Sequence, residues 1–169
     1  MILGVMADTH NNHVLMLEAA RLLTRALNAD RIIHLGDDYE DGTVLAAHGF
    51  EVAVVPGLWC PEYQMPQIPK RMVEHLDGLT LVAVHAAKDL RSPDFGASII
   101  LTGHTHQARI ELIDGTLHVN PGHLKSRESR GEPATVATVA LRPHEAQATI
   151  HGLNGETIRS LTVPRTELA

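Results

Sequence analysis

The chain opens on a short apolar run, Ile2 to Met6, that ends abruptly in the polar cluster Asp8-Thr9-His10-Asn11-Asn12. A run this short, with no polar residue alternating through it, reads as a buried strand whose next side chains leave the sheet. From Val14 to Leu27 apolar residues recur at helical spacing (Val14, Leu17, Leu22, Leu23, Leu27). Glu18, Arg21 and Arg25 are left for water, and Asn11 or Asn12 supplies an N-cap. A second apolar strand, Arg31 to Leu35, runs into Gly36-Asp37-Asp38. A short helix near Thr43 to His48 and a third strand, Glu51 to Val55, follow, and Pro56-Gly57 stops that strand. The order is β-α-β-α-β. Parallel units of this kind gather ligands beyond the carboxyl ends of their strands, which places Asp8, His10 and Asp37 at one edge.

After Leu58 the pattern changes. Pro61, Pro66 and Pro69 mark an irregular loop. Short β-like runs then follow at Arg71 to His75, Leu79 to His85, Ser98 to Leu101, Arg109 to Ile113 and Leu117 to Val119. Asp77-Gly78 and Asp114-Gly115 are hairpin turn signals. The remainder offers strands at Thr135 to Leu141, Ala146 to Leu153 and Thr157 to Val163, with Asn154-Gly155 as a further turn. A βαβ first half joined to a strand-rich second half predicts an α/β fold, two packed mixed sheets with helices outside. With 169 residues the expectation is one domain, 1–169.

Composition excludes several function classes. One cysteine rules out an intramolecular disulfide and any Cys-rich zinc module. A formal charge of −6 is the wrong sign for a protein that coats nucleic acid. No apolar stretch is long enough to span a membrane, and the first residues lack the basic start of an export signal. These features predict a reduced, cytoplasmic setting. The outlier is histidine, with twelve in the chain.

Four segments sit at the ends of strand-like runs: Asp8-Thr9-His10, Gly36-Asp37-Asp38, His85, and Gly103-His104-Thr105-His106. Each alone has an ordinary structural reading, as a helix cap, a loop or a surface histidine. Gly-His-Thr-His is the least ordinary, because packing seldom needs histidines at i and i+2. Together they offer two carboxylates and four imidazoles, donors suited to divalent Mn, Fe, Co, Ni or Zn. In this order the segments resemble the motifs of the calcineurin-like metallophosphoesterases, in particular their compact bacterial and archaeal phosphodiesterase branch. Asn120-Pro121-Gly122 matches a further motif of that branch.

The resemblance implies a four-layer α-β-β-α sandwich and two divalent ions, manganese foremost, with Fe, Zn, Ni or Co as alternatives. Asp8, His10 and His106 would hold one ion, Asp37 would bridge, and His85 and His104 would hold the second. The implied activity is hydrolysis of a small phosphorylated substrate, a phosphodiester or monoester, by a metal-activated hydroxide, with Asp37, His10 and His106 acting through that hydroxide. Two ions also answer how a chain of charge −6 attracts phosphate, since they outweigh the two aspartates.

One departure stands out. Where the family carries Gly-Asn followed by His or Cys, this chain reads Gly57-Leu58-Trp59-Cys60, and no asparagine occurs between Asn28 and Asn120. Leucine cannot ligate, and no histidine is in place as general acid. Three outcomes are open: water completes the second site, Cys60, Asp38 or Glu62 substitutes, or the second site stays empty. The last motivates an alternative reading, a catalytically silent scaffold or binding protein that keeps the fold.

Trp59, Asn120 and His123 are candidates for the substrate loop, Trp59 for stacking or for core or interface packing, His123 more for the surface. His34 reads as a hydrogen-bonded core residue. Lys125, Arg127 and Arg130 read as a solvated basic loop. Homo-oligomer formation is left open by the sequence, with the proline loop and strand edges as candidate interfaces.

Overall fold

The computed structural model describes all 169 residues. The first segment is β1 (Ile2–Met6), α1 (His13–Arg21), β2 (Arg31–His34), α2 (Asp41–Ala47) and β3 (Val52–Val54). Next come β4 (Arg71–Leu76), β5 (Leu79–Val84), β6 (Ile99–Thr102), β7 (Arg109–Ile113) and β8 (Thr116–Asn120). The chain closes with the small ribbon β9 (Glu128–Ser129) and β10 (Glu132–Pro133), then β11 (Thr135–Leu141), β12 (Glu145–Gly152) and β13 (Thr157–Pro164).

Two mixed sheets result. One has six strands in the order β13-β12-β11-β1-β2-β3, the other five in the order β4-β5-β6-β8-β7. Within the first, β1, β2 and β3 are parallel; within the second, β5, β6 and β8 are parallel. Residues of period two on β1 explain the layering: Leu3, Val5 and Ala7 join the core between the sheets, whereas Met6 joins the core under α1. The inter-sheet core also takes Ile33 and Leu35 of the β2 segment with Val139 and Ile150 of β11 and β12 from the same sheet, and Leu81, Ile99, Leu101 and Val119 from the facing strands.

Helices α1 and α2 cover the outer face of the six-stranded sheet. Asn12 caps α1 by accepting the Leu15 N–H at 3.2 Å. The buried stripe is Leu15, Met16, Ala19 and Ala20, so Val14, expected on that stripe, stands 80 % exposed. The reason is phase: the helix starts at His13, and one π turn, Leu22–Ala26, ends its regular period before Leu27. The outer face of the five-stranded sheet is covered more thinly, by the 3-10 turns Ala87–Asp89 and Ser92–Gly96 beside Val82, Val84 and Ile100. The outermost layer there is two turns, with no α-helix. Both Asp-Gly hairpin signals are turns, with φ of 50° and 82° at Asp77-Gly78 and 48° and 80° at Asp114-Gly115. No helix is long and apolar enough to cross a membrane.

The core assignment is testable by truncation. Leu81 is fully buried between the sheets, so Leu81→Ala is expected to cost about 2–5 kcal/mol in chemical denaturation. Val14→Ala, on the exposed side of α1, is expected to stay within about 0.5 kcal/mol of wild type.

Candidate metal centre

Strands β1 and β2 of one sheet and β5, β6 and β8 of the other all end at the same edge. Within each sheet the strand ends are tied to one another: Asp8 N–H donates to Gly36 O at 2.7 Å, and Gly103 N–H donates to His85 O at 2.9 Å, so the bond that joins the two sheets here comes from the loop after β6. His104 N–H donates to Asp8 Oδ2 at 2.8 Å. Asp8, His10, Asn11, His104 and His106 all hold positive φ, between 47° and 67°. Left-handed backbone at non-glycine residues is uncommon, and its concentration here marks turns held in place by the surrounding structure. Close approach also fixes Gly57, where an added Cβ would lie 2.0 Å from the carbonyl oxygen of Asp37. The Pro56-Gly57 turn therefore packs directly against the Asp37 backbone.

Two groups of donor atoms form at this edge. Asp8, His10 and His106 bring one ligand atom each within 4.8 Å of one another, and so do Asp8, Asp37 and His85. His10 Nε2 lies 3.0 Å from His106 Nε2 and 3.3 Å from Asp37 Oδ2, and His106 Nε2 lies 3.6 Å from Asp8 Oδ1. Donors set about 2.1 Å from one ion at near-right or tetrahedral angles are about 3.0–3.4 Å apart, so these spacings suit a shared cation. Asp8 is the residue common to both groups. His104 sits beside His85, ring centroids 5.1 Å apart, but is outside both groups.

Unpartnered atoms make the same point. Asp8 is fully buried, and its Oδ1 has no hydrogen-bond partner. His85 is also fully buried; its Nδ1–H donates to Leu35 O at 2.6 Å, which leaves the Nε2 lone pair aimed into the site with no partner. This is how proteins orient a ligating imidazole. Burial lowers the pKa of His85 and keeps the ring neutral. His106 is lowered to about 4, by burial first and then by His10 and His123. Asp8 is raised to about 8, by burial and then by the adjacent charge of Asp37. A divalent cation would relieve both penalties on Asp8.

Beneath these donors lies a polar network not anticipated from the sequence. Asp41, at the start of α2 and fully buried, accepts bonds from Thr9 Oγ1 and, at 3.1 Å, His13 Nε2. His34 Nε2 stands 3.2 Å from the same carboxylate, while His34 Nδ1 accepts the Gly36 N–H at 3.1 Å. Burial opposes ionisation of Asp41, but the bonds from His34 and Thr9 outweigh it and hold the carboxyl below its usual range. One carboxylate thus braces both the Asp8-Thr9-His10 and Gly36-Asp37 turns. An acid in the first turn of a helix ordinarily reads as a dipole partner, so nothing in the sequence singled Asp41 out.

The remaining candidates separate clearly. His123, expected nearer the surface, is fully buried, with its ring 5.4 Å from that of His106 and Nε2 donating to Glu132 O at 3.1 Å. The Pro121-Gly122 turn folds it inward. Asn120 spends its amide on Gly103 O at 2.9 Å and Thr105 Oγ1 at 3.1 Å, so it shapes the His104–His106 loop. Trp59 is 89 % exposed, which removes the core reading. Leu58 lines a cavity of about 320 Å³ with Ala86, Lys88 and His104. Asp38, Cys60 and Glu62 line a different one, of about 180 Å³, and belong to neither donor group. Cys60 Sγ is directed to Gly57 O at 3.2 Å. Arg127 pairs with Glu18 at the surface.

The Asp8 shift has a signed consequence. Its folded pKa lies above the unfolded value, so the folded state holds the extra proton and loses relative stability as pH rises towards 8. The lowered His106 and His85 act oppositely, but only below about pH 6.5. Metal-free protein is therefore expected to lose about 2 kcal/mol between pH 6.5 and 8. Asp8→Asn should abolish that loss, measured by urea denaturation in the presence of chelator.

Comparison with known proteins agrees with this architecture. The family model of the calcineurin-like phosphoesterase superfamily domain matches residues 1–143. No curated protein matches the sequence. Among solved structures, the phosphoesterase YfcE of E. coli is similar at TM-score 0.72 and 20% identity, over 95% of this chain and 98% of that one. A conserved predicted phosphoesterase of Streptococcus pneumoniae gives 0.71 and 20%, over 97% of each chain. Vps29 of Entamoeba histolytica, solved with Zn²⁺, gives 0.68 and 18%, over 98% of this chain and 99% of that one. At these identities the structures speak to the fold, and the family match rests on the sequence itself. With a family match that spans residues 1–143 and so takes in the strand ends and the Gly-His-Thr-His loop, the chain belongs to the calcineurin-like phosphoesterase superfamily.

Proposed function

We propose that this protein is a metal-dependent phosphoesterase that hydrolyses a small phosphorylated substrate, a phosphodiester or monoester. The observation that carries the reading is the pair of buried, unpartnered donors, Asp8 Oδ1 and His85 Nε2, converging with Asp37, His10 and His106. In this reading Asp8, His10 and His106 would hold one divalent ion and His85 and His104 a second, Asp37 would bridge, and manganese is the first candidate. Ions held there supply positive charge that brings water ionisation into the neutral range and offsets phosphoryl oxygens.

The chain's own groups divide the remaining work. Asp8 and Asp37 provide anionic oxygens. The lowered pKa values of His85 and His106 keep their nitrogens available as donors at neutral pH. His10 and His106 have side chains 38 % and 22 % exposed, whereas Asp8 is closed off, so substrate reaches the centre from the histidine side. Leu58 and Trp59 occupy the positions where the family has its asparagine and acid histidine. No proton donor therefore meets the leaving oxygen from that turn.

Chelation should abolish hydrolysis of bis(p-nitrophenyl) phosphate, and Mn²⁺ should restore it. Asp37→Ala with retained activity under strict metal control would overturn the bridging role. Without a general acid, nitrophenyl esters are expected to react at least about 100-fold faster than matched alkyl esters. Equal rates would oppose that.

Leu58 also favours a second reading, a scaffold that keeps the fold without the reaction, since it removes one donor from the second ion. Metal content separates the two. Two ions per chain after equilibration with Mn²⁺ support the enzyme, and none supports the scaffold.

A further inference from the structure

The cations of this acidic chain are unevenly placed. A cleft of about 730 Å³ opens between the loop carrying Tyr63 to Arg71 and the segment Lys88 to Arg91. Lys70, Arg71, Lys88 and Arg91 all line it. Arg71 is paired with Asp94, but Lys70, Lys88 and Arg91 take part in no ion pair. The ammonium of Lys70 sits 3.9 Å from the centroid of the Tyr63 ring and that of Lys88 at 5.5 Å. Tyr63 is itself buried and anchored, its hydroxyl donating to Asp89 at 2.7 Å. Both ammonium groups thus lie within cation–π reach of one anchored ring that lines the cleft. Counting Asp89 and Asp94 against the four cations leaves a local charge of +2 in a chain of −6.

The cleft lies next to a cavity that reaches His104. Lys88 lines both it and the cavity shared by Leu58 and His104. Lys88 is three positions along the chain from His85, a backbone reach of at most about 11 Å.

We propose that this cleft binds a second phosphate of the substrate, so that the substrate class is a small molecule carrying a terminal phosphate a sugar-sized distance from the ester that is cleaved. The proposal rests on the phosphoesterase reading for the position of the scissile ester. A terminal phosphate monoester carries about −1.5 to −2, which matches the local charge better than one carboxylate does. The four cations line one cleft of a protein that is acidic as a whole. A nucleic-acid strand would need them spread along a track.

The test uses two esters that differ only in the distal group: thymidine 5′-(p-nitrophenyl phosphate), with and without a 3′-phosphate. In Mn²⁺-loaded wild-type protein, kcat/KM is expected to favour the 3′-phosphorylated ester about tenfold, and Lys70→Ala/Arg91→Ala should bring the ratio near one. The preference should also shrink with added salt. Equal kcat/KM for the two esters in wild type, or a preference that survives in the variant, overturns the proposal. Calorimetric titration of metal-free protein with thymidine 3′,5′-bisphosphate gives a second readout that needs no turnover. Binding weakened about tenfold in the variant supports the cleft, and equal affinity overturns it. Failure to hydrolyse either ester refutes the phosphoesterase reading, and the titration still decides the cleft.

Discussion

The carboxylate of Asp8 is enclosed at the junction of the two sheets, within reach of a second carboxylate. Such a group costs free energy unless something compensates it. Part of the compensation is internal: the N–H of His104, from the opposite sheet, donates to Oδ2. The other oxygen has no protein partner, and the charge of Asp37 opposes ionisation further. The arrangement is unfavourable in the bare protein, and a cation beside it would offset the cost. That imbalance links the sandwich to the site, because the same bond that partly satisfies Asp8 also fixes the His104–His106 loop.

Around this carboxylate, residues act at successive distances. Asn120 holds the Gly103–Thr105 backbone, and Asp41 ties Thr9, His13 and His34 into one braced unit. Gly57 lets the turn after β3 rest against Asp37 with no side chain between them. None of these groups is a donor to the candidate ions. Each limits the motion of one that is, and precise donor placement depends on such support.

Charge works on two scales in this protein. The whole chain is acidic, which suits solubility and opposes indiscriminate attachment to polyanions. Locally the sign inverts in the cleft around Tyr63, where Lys70, Lys88 and Arg91 lack carboxylate partners.

The strands, the two Asp-Gly turns and the Asp8, Asp37, His85 and Gly-His-Thr-His positions were legible in the sequence, because short apolar runs and turn chemistry are local properties. The family resemblance was legible for the same reason: its motifs are contiguous residues at strand ends. The order of strands across each sheet, with β11 returning beside β1, was not. Neither was the burial of His123, which depends on how the Asn120-Pro121-Gly122 turn folds back towards His106. The exposure of Val14 follows from the helix phase, and one residue of offset rotates the whole stripe. The bracing by Asp41 joins residues 28 and 32 positions apart, and the basic cleft joins two loops that only the five-stranded sheet brings together. Local spacing determined which residues could serve as donors. Tertiary packing alone decided which of them meet, which lose their water, and which charges are left unpaired, because burial and proximity belong to the folded chain.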